Sequence, residues 1–307
     1  MTPLLQCVPN FSAGRDADAI NAIVEAVRQT PGVRLADWSA DADHNRLVVT
    51  FVGPPEPVRA AALAAAAAAI AHIDLREHLG VHPRLGAMDV LPFIPLSGIT
   101  LAECAALAVS VGKELAARHS LPVFFYEAAS PLAHTLPFVR KSAWGTLFPD
   151  AGPNTPHPTA GVVVVGARGP LIAYNVNLAA SDPAAARTIA RELRSLPGLP
   201  GIRALGLRLP SRDLSQISMN LTQPAETPLL RVFQYVESRA TALGTTVVES
   251  EVIGALPGPA AFGLMADALY CSTLKPGQVL WENWEVTAYP QASPEHHSPE
   301  DQENPLP

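Results

Sequence analysis

The chain has 307 residues, of which 48% are hydrophobic and 16% are charged, and its formal net charge at neutral pH is −7. These values are typical of a globular protein and exclude a disordered chain, because disordered chains have too few apolar residues to form a core. The acidic balance also argues against nucleic acid as the main partner, since nucleic-acid-binding proteins present clustered basic side chains.

The cysteines and the apolar runs bear on cofactors and location. Cys7, Cys104 and Cys271 are far apart and lack the CxxC spacing of a zinc site, so no metal is predicted and a reducing compartment is expected. The N-terminus lacks the pattern of a signal peptide. The longest apolar run, residues 60–71, is too short to span a membrane. We therefore predict a cytoplasmic protein without a membrane partner.

The first half of the chain alternates between strand-like and helix-like patterns. Short apolar runs predict strands at residues 4–9, 33–38, 47–52 and 90–94. Apolar residues at helical spacing predict one helix that ends at Pro31-Gly32 and a second along the alanine-rich run after Pro54-Pro55. The order β-α-β-β-α-β is that of a ferredoxin-like unit, which a predicted helix at 101–119 and strand at 122–126 extend.

The second half repeats this order after residues 127–160, which carry little pattern and have the length of a functional or disordered loop. A strand is predicted at 161–166, followed by strands at 171–177, 202–207, 214–220 and 245–252 and helices at 182–193 and 227–243. We therefore predict an α+β fold in which two ferredoxin-like βαββαβ units pack together with a groove between them. The predicted boundaries are 1–170 for the N-terminal unit, 171–289 for the C-terminal unit and 290–307 for a disordered acidic tail.

The stretch from Gly80 to Asp89 is the strongest candidate for chemistry. It connects a predicted helix to a predicted buried strand, and such loops commonly carry functional residues. Pro83 biases His82 toward an extended backbone, and an imidazole can both accept and return a proton near neutral pH. On composition alone, a loop histidine with a structural hydrogen bond is an equal alternative.

Several motifs in one order resemble the formiminotransferase family over residues 3–270. The matching residues are Cys7-Val8-Pro9-Asn10-Phe11-Ser12, Asn45-Arg46, Thr50-Phe51-Val52-Gly53-Pro54-Pro55-Glu56, His82-Pro83-Arg84 with Gly86-Ala87 and Asp89, Pro92-Phe93-Ile94-Pro95, Gly166-Ala167-Arg168 and Asn175-Val176-Asn177-Leu178. A series of separate motifs is more specific than one short match. Larger members of this family carry a cyclodeaminase domain after this region, and we expect this chain to lack that domain.

The resemblance implies a one-carbon group transferase that works in histidine degradation. The expected reaction moves the formimino group of N-formimino-L-glutamate to N5 of tetrahydrofolate, which is a co-substrate, and releases glutamate. The catalytic histidine of the family falls on His82, which would act as the proton shuttle. Members of the family form homodimers, so a homodimer whose partners are these two small molecules is expected.

Residues 152–161 match the folate-contacting loop of the family. The implied folate contacts are Gly152, Pro153, Asn154, Thr155, Pro158, Thr159 and Gly161. A loop of this composition can present backbone groups to the edge of a pterin ring. The alternative interpretation of the same residues is a proline-stiffened linker between the two units.

Three arginines within the matching motifs are candidates to bind substrate carboxylates: Arg46, Arg84 and Arg168. The guanidinium group suits this task because it can bind a carboxylate with two parallel hydrogen bonds. For each of them, the equal alternative is a structural ion pair with an acidic side chain, which for Arg168 would cross the interface between the units.

The polar connection at residues 40–45 holds carboxylates and an imidazole. Its spacing matches no dedicated metal motif, and the favoured interpretation is a solvated hairpin turn with Asx turns. The family has an acidic side chain at position 39 that assists the catalytic histidine, whereas this chain has Ser39. Asp41 and Asp43 are the candidates to replace that acid.

Three alternative functions remain open. A related transferase would move a formyl group between 5-formyltetrahydrofolate and glutamate in an almost identical pocket, a non-catalytic folate-binding protein would bind without turnover, and an assembly protein of ferredoxin-like units would bind no folate. The sequence has no GxGxxG after a strand, no GxxxxGK[ST] and no GxSxG, which argues against nucleotide-dependent enzymes and serine hydrolases.

Overall fold

The computed structural model describes residues 2–81 and 83–268. His82 and the predicted tail at 290–307 therefore lie outside the described residues. Within the described part, the chain forms two β-sheets, and helices cover one face of each sheet. The predicted α+β fold with ferredoxin-like units is confirmed.

The first sheet has seven strands in the order β3-β4-β1/β2-β5-β7-β6, where β1 and β2 lie in line between β4 and β5. Its strands are β1 (Leu4–Cys7), β2 (Asn10–Phe11), β3 (Arg34–Asp41), β4 (Arg46–Gly53), β5 (Met88–Ser97), β6 (Val123–Glu127) and β7 (Val163–Ala167). The helices of this unit are α1 (Ala17–Arg28), α2 (Pro55–His72), α3 (Leu101–His119) and α4 (Leu136–Ser142). The β5–β7 and β7–β6 pairs are parallel, and the other pairs are antiparallel.

Helices α1, α2 and α3 form because their sequences combine an apolar face with defined ends. The Asp16 carboxylate caps α1 by accepting backbone hydrogen bonds at 3.0 and 3.2 Å, and Ile23 and Val27 are buried on its inner face. Thr100 and Glu103 form a reciprocal capping box at the start of α3. The buried faces of these helices pack on one side of the sheet and form the larger core.

The weakly patterned stretch 127–160 contains one regular element that the sequence analysis did not predict. Helix α4 begins after Thr135, whose hydroxyl accepts a hydrogen bond from Phe138 N, and it is only seven residues long. Two turns of helix are too short to show a clear apolar period, and Val139 is its one buried residue. Val139 packs with Phe124 and Tyr126 on the face of the sheet opposite α1–α3.

The second sheet has four antiparallel strands in the order β11-β8-β10-β9. Its elements are β8 (Ile172–Leu178), α5 (Ala184–Leu193), β9 (Ile202–Leu209), β10 (Leu214–Leu221), α6 (Leu229–Ala242), β11 (Val247–Ile253) and α7 (Gly258–Ala268). The first and last strands of the βαββαβ run thus lie side by side, as they do in the first unit. Helices α5 and α6 bury their apolar residues against one face.

Each sheet has a second face that helices α1–α3, α5 and α6 do not cover. Successive side chains of a strand point to opposite faces, so the residues between core positions lie on this second face. In β4, Leu47 and Val49 belong to the helix-covered core, so Arg46 and Val48 lie on the other face. In β10, Ile217 belongs to the core, so Gln216 and Ser218 lie on the other face. These two faces point toward one another and form the walls of a groove.

Candidate active site

A cavity of about 930 Å³ lies between the two sheets. Asn10, Arg46 and Pro92 contribute to its wall from the first sheet, and Asn175, Ser218 and Glu251 contribute from the second. This volume is at the upper end of the range for small-molecule sites, which is about 300–1,000 Å³. Several lining residues, such as Arg46 and Asn175, are side chains that alternate with core residues along the same strands.

The cavity is strongly cationic although the whole chain is acidic. Among the described residues that line it, six are basic and two are acidic. The basic residues are Arg46, Arg140, Lys141, Arg168, Arg194 and Arg203, and the acidic ones are Asp41 and Glu251. A groove lined by one sign of charge concentrates ligands of the opposite sign, so this groove suits a substrate with several carboxylates.

Arg46 lies deep in this groove. Burial lowers the pKa of Arg46 to about 10; Asp89 and Asp41 oppose this shift, and Arg140 adds to it. The guanidinium group remains charged at neutral pH. Arg140 forms a salt bridge with the buried Asp89, which also accepts a hydrogen bond from Leu85 N at 2.6 Å.

Arg168 also lines the cavity, at the end of β7. Its guanidinium is hydrogen-bonded to the Tyr126 hydroxyl and donates to the Gly169 carbonyl oxygen at 2.9 Å. Burial lowers the pKa of Arg168. An ion pair between the two units is formed by Arg203 and Glu127, at 3.1 Å.

Arg84 has a different environment from the other two predicted arginines. Its guanidinium donates to the carbonyl oxygens of His78 at 2.7 Å and Gly80 at 3.3 Å, within its own loop. It lines a small side pocket together with Arg46 and Asp89 and is not among the described residues that line the large cavity. Arg84 thus shapes the loop that holds the His82-Pro83-Arg84 motif.

The predicted folate loop at 152–161 packs against the segment that follows this motif. Ala87 N donates to the Ala160 carbonyl oxygen at 2.9 Å, and Gly86 pairs with Gly161. Gly161 has a φ of +66°, and a Cβ there would lie 2.3 Å from the Leu85 carbonyl oxygen, so glycine is required. None of the seven predicted folate residues, all of which the structure describes, lines the large cavity. The folate contacts of this loop stay a prediction.

The residues on either side of His82 lie against the turn that joins β3 and β4. Val81 N donates to the Asp43 carbonyl oxygen at 3.2 Å, and Asn45 Nδ2 donates to the Leu79 carbonyl oxygen at 3.0 Å. On the other side of position 82, Pro83 lines the large cavity. The chain on both sides of the predicted catalytic histidine is thus held at the groove.

The second unit also holds this turn. The Asp43 carboxylate accepts hydrogen bonds from Ser211 Oγ at 2.6 Å and from Ser211 N at 3.1 Å. The Asp41 carboxylate accepts a hydrogen bond at 2.6 Å from His44 N, three residues further along the chain. Asp41 and Ser39 line the cavity, so of the two acids proposed to replace an acid at position 39, Asp41 is the one in the groove.

His44 is the functional candidate that the sequence analysis placed in a solvated turn. The residue is 5% exposed and lines the large cavity. Burial lowers the pKa of the His44 imidazole, while Asp41, Glu251 and Asp43 raise it and Arg46 lowers it. Gly80 lies against the His44 backbone carbonyl, and Arg84 and Asp89 line a small pocket with His44, so its surroundings include residues distant in the chain that no local pattern reveals.

Two further features concern cofactors and membranes. Across residues 2–81 and 83–268, the structure contains no cluster of three or more His, Cys, Asp or Glu side chains arranged to hold a metal ion. Among the helices of these same residues, none combines the length and the apolar character needed to span a membrane.

The sequence of the chain is similar to two family models and to several known proteins. Residues 4–168 match the N-terminal subdomain of the formiminotransferase domain, and residues 173–282 match the formiminotransferase domain. A glutamate formimidoyltransferase from Streptococcus pyogenes serotype M1 is 38% identical over 272 residues, which cover 85% of this chain and 91% of the relative. One from Thermoplasma acidophilum is 35% identical over 93% of this chain and 98% of the relative. The formimidoyltransferase-cyclodeaminase of Rattus norvegicus is 41% identical, and the match covers 54% of its length.

Proposed function

We infer that this chain, which belongs to the formiminotransferase family, is a glutamate formimidoyltransferase. The observation that carries this inference is a cationic groove between two units that match the two parts of the formiminotransferase domain. The reaction moves the formimino group from N-formimino-L-glutamate to N5 of tetrahydrofolate and releases glutamate. Tetrahydrofolate is thus a co-substrate.

The charge of the groove supports these two substrates. N-formimino-L-glutamate carries two carboxylates, and the glutamate part of tetrahydrofolate carries two more. Arg46 and Arg168, proposed from the sequence, are in the cavity wall, and Arg140, Arg194 and Arg203 add guanidinium groups that the sequence analysis did not select. We propose that these groups bind the carboxylates, so that both substrates are held in one low-dielectric site.

His82 is proposed as the proton shuttle of the transfer. N5 must lose a proton as it attacks the formimino carbon, and the departing glutamate nitrogen must gain one. One imidazole can perform both steps in turn, and such acid–base catalysis contributes about 10²–10⁴ in rate. The supporting observation is that Val81 and Pro83, on either side of His82, are held at the turn and at the cavity wall.

The loop at 152–161 is proposed to contact folate. Its support is the hydrogen bond between Ala87 N and the Ala160 carbonyl oxygen, together with the Gly86–Gly161 pairing, because both join it to the segment just after His82-Pro83-Arg84. A homodimer, a cytoplasmic location and a role in histidine degradation are proposed from the family alone.

The experiment that tests the function compares two donors. The purified protein is incubated with tetrahydrofolate and either N-formimino-L-glutamate or N-formyl-L-glutamate, and the folate product is followed by absorbance and mass. Product from the formimino donor alone is expected. Product from the formyl donor alone would assign the formyl-transferring relative, and folate binding without any product would assign a non-catalytic folate-binding protein.

A further inference from the structure

One carboxylate of the second unit interrupts the cationic wall of the groove. Of the described residues that line the cavity, only Asp41 and Glu251 are acidic, and they come from different units. Asp41 is engaged within its own turn, because its Oδ1 accepts the hydrogen bond from His44 N at 2.6 Å. Glu251 lies on β11, and its side chain is exposed and lines the cavity. Glu251 is therefore the acid that the second unit presents to a ligand in the groove.

The position of Glu251 is set by side chains of the neighbouring strands. Asn175 of β8 lies directly opposite Glu251, and its Nδ2 donates a hydrogen bond to Glu251 Oε1 at 2.9 Å. Gln216 Nε2 of β10 donates to the same oxygen at 3.4 Å. Asn175 is 7% exposed and Gln216 is 1% exposed, so packing holds both carboxamides in place. Because carboxamides are neutral, they orient the carboxylate without neutralising its charge.

A second carboxylate on the same strand has a different environment. Glu249 lies opposite Asn177, whose Nδ2 donates to Glu249 Oε1 at 2.7 Å, so the carboxamide–carboxylate pair is repeated two residues away. Glu249 also forms a salt bridge with Arg212, and it is not among the described residues that line the cavity. None of the salt bridges between described residues includes Glu251. The charge of Glu249 is thus paired within the protein, whereas that of Glu251 is available to a cation in the cavity.

The two donors considered for this groove differ in charge at the group that is transferred. A formimino group is an amidine, a strong base that is protonated at neutral pH, and its planar N–H donors can bind a carboxylate as a guanidinium group does. A formyl group is neutral, and its oxygen only accepts hydrogen bonds. The guanidinium groups of the cavity repel an amidinium, so a carboxylate is needed to hold it there. The same carboxylate offers a formyl oxygen no donor, and specificity arises from both effects.

We propose that Glu251 is a specificity-determining residue, which binds the cationic formimino group of the donor and discriminates against the neutral formyl group. This inference rests on the proposed function. In the transfer, N5 of tetrahydrofolate forms a bond to the formimino carbon, the bond from that carbon to the glutamate nitrogen breaks, and the N5 proton ends on that nitrogen. The terminal nitrogen that Glu251 binds stays on the carbon, and the group is cationic before and after the transfer. Glu251 therefore exchanges no proton and contributes to KM more than to kcat.

The test compares Glu251→Gln with the wild-type protein for two ligands. Glutamine has nearly the same shape, and its side-chain oxygen can still accept the hydrogen bond from Asn175 Nδ2, so we expect the fold to be kept. The KM for N-formimino-L-glutamate should rise about 10-fold or more, because a hydrogen bond between charged groups is lost, while kcat changes less. The inhibition constant of N-formyl-L-glutamate, measured against the formimino donor, should stay the same or fall. Unfolding midpoints are measured in parallel.

Two further variants separate recognition of the cation from a general change in the groove. Glu249→Gln is the matched control, because it removes the other carboxylate of β11, and it should leave both constants at their wild-type values. Glu251→Asp keeps the charge, so its ratio of the two constants should lie between those of the wild type and Glu251→Gln. A folded Glu251→Gln protein with a wild-type KM, or one in which both constants rise equally, would overturn this inference and leave the proposed function intact. A wild-type protein that transfers nothing from N-formimino-L-glutamate would overturn both.

Discussion

The salt bridge between Asp89 and Arg140 connects a residue of the cavity wall to a buried carboxylate. Removing it tests how much this buried ion pair contributes to stability. The side chain of Asp89 is 4% exposed and that of Arg140 is 21% exposed. Asp89 also accepts a hydrogen bond from Leu85 N, close to the His82-Pro83-Arg84 motif, and Arg140 is one of the residues that α4 contributes to the cavity wall. Asp89→Asn keeps the shape of the side chain and removes its charge.

The expected loss in the free energy of unfolding follows from the burial of the Asp89–Arg140 pair. Removing one partner of a buried ion pair costs about 3–5 kcal/mol, because the other charge is left without compensation. Arg140 is partly exposed, and an asparagine oxygen can still accept the Leu85 N–H bond, so we expect the lower end, about 3 kcal/mol. With a urea dependence of about 3 kcal/mol per molar, the unfolding midpoint falls by about 1 M.

The assay is urea unfolding followed by circular dichroism and by tryptophan fluorescence. Asp213→Asn is the matched control: Asp213 pairs with Arg208 at 3.7 Å on the surface, with 79% of its side chain exposed, so its midpoint should not move. The double variant with Arg140→Met should regain much of the loss, because it no longer buries an unpaired guanidinium. A wild-type midpoint for Asp89→Asn would refute the reasoning.

Three other outcomes follow from the structure. Gly86→Ala should destabilise the protein strongly in thermal unfolding, because the added Cβ would lie 1.6 Å from a backbone carbonyl oxygen, whereas Gly169→Ala, which meets nothing within 4 Å, should not. The folded state lowers the pKa of His44, so the unfolded state binds more protons at acidic pH. The free energy of unfolding should therefore fall as the pH drops below about 6.5. Over the same pH range, the urea midpoint of His44→Gln should fall less than that of the wild type. Arg168→Met should raise KM for at least one substrate about 10-fold or more in steady-state assays, whereas the exposed Arg208→Met should match the wild type.

Much of the architecture could be predicted from local pattern. The predicted helix at 101–119 has the same bounds as α3, because an apolar period and a capping box at Thr100 coincide there. The order of strands and helices through β11 was also predicted correctly, apart from α4 and the two-residue strand β2. That helix spans seven residues and buries one side chain, so it carries too little periodicity to be recognised.

The candidate site was predictable only in part. Arg46 and Arg168 belong to motifs that resemble the family, and both line the cavity. Arg140, Arg194 and Arg203 lie on or beside α4, α5 and β9, where an arginine in the sequence looks like an ordinary surface residue. Their convergence depends on how the two sheets face one another.

The sequence by itself determined the elements, their order and the family of this protein, because those properties depend on local spacing and on motifs read one after another. Tertiary structure alone decided which polar side chains meet. Ser211 reaches Asp43 across a separation of 168 residues, and Glu251 of the second unit lines the same cavity as His44 of the first. Burial and charge at such a site are set by groups that are distant in the chain, so local pattern cannot encode them.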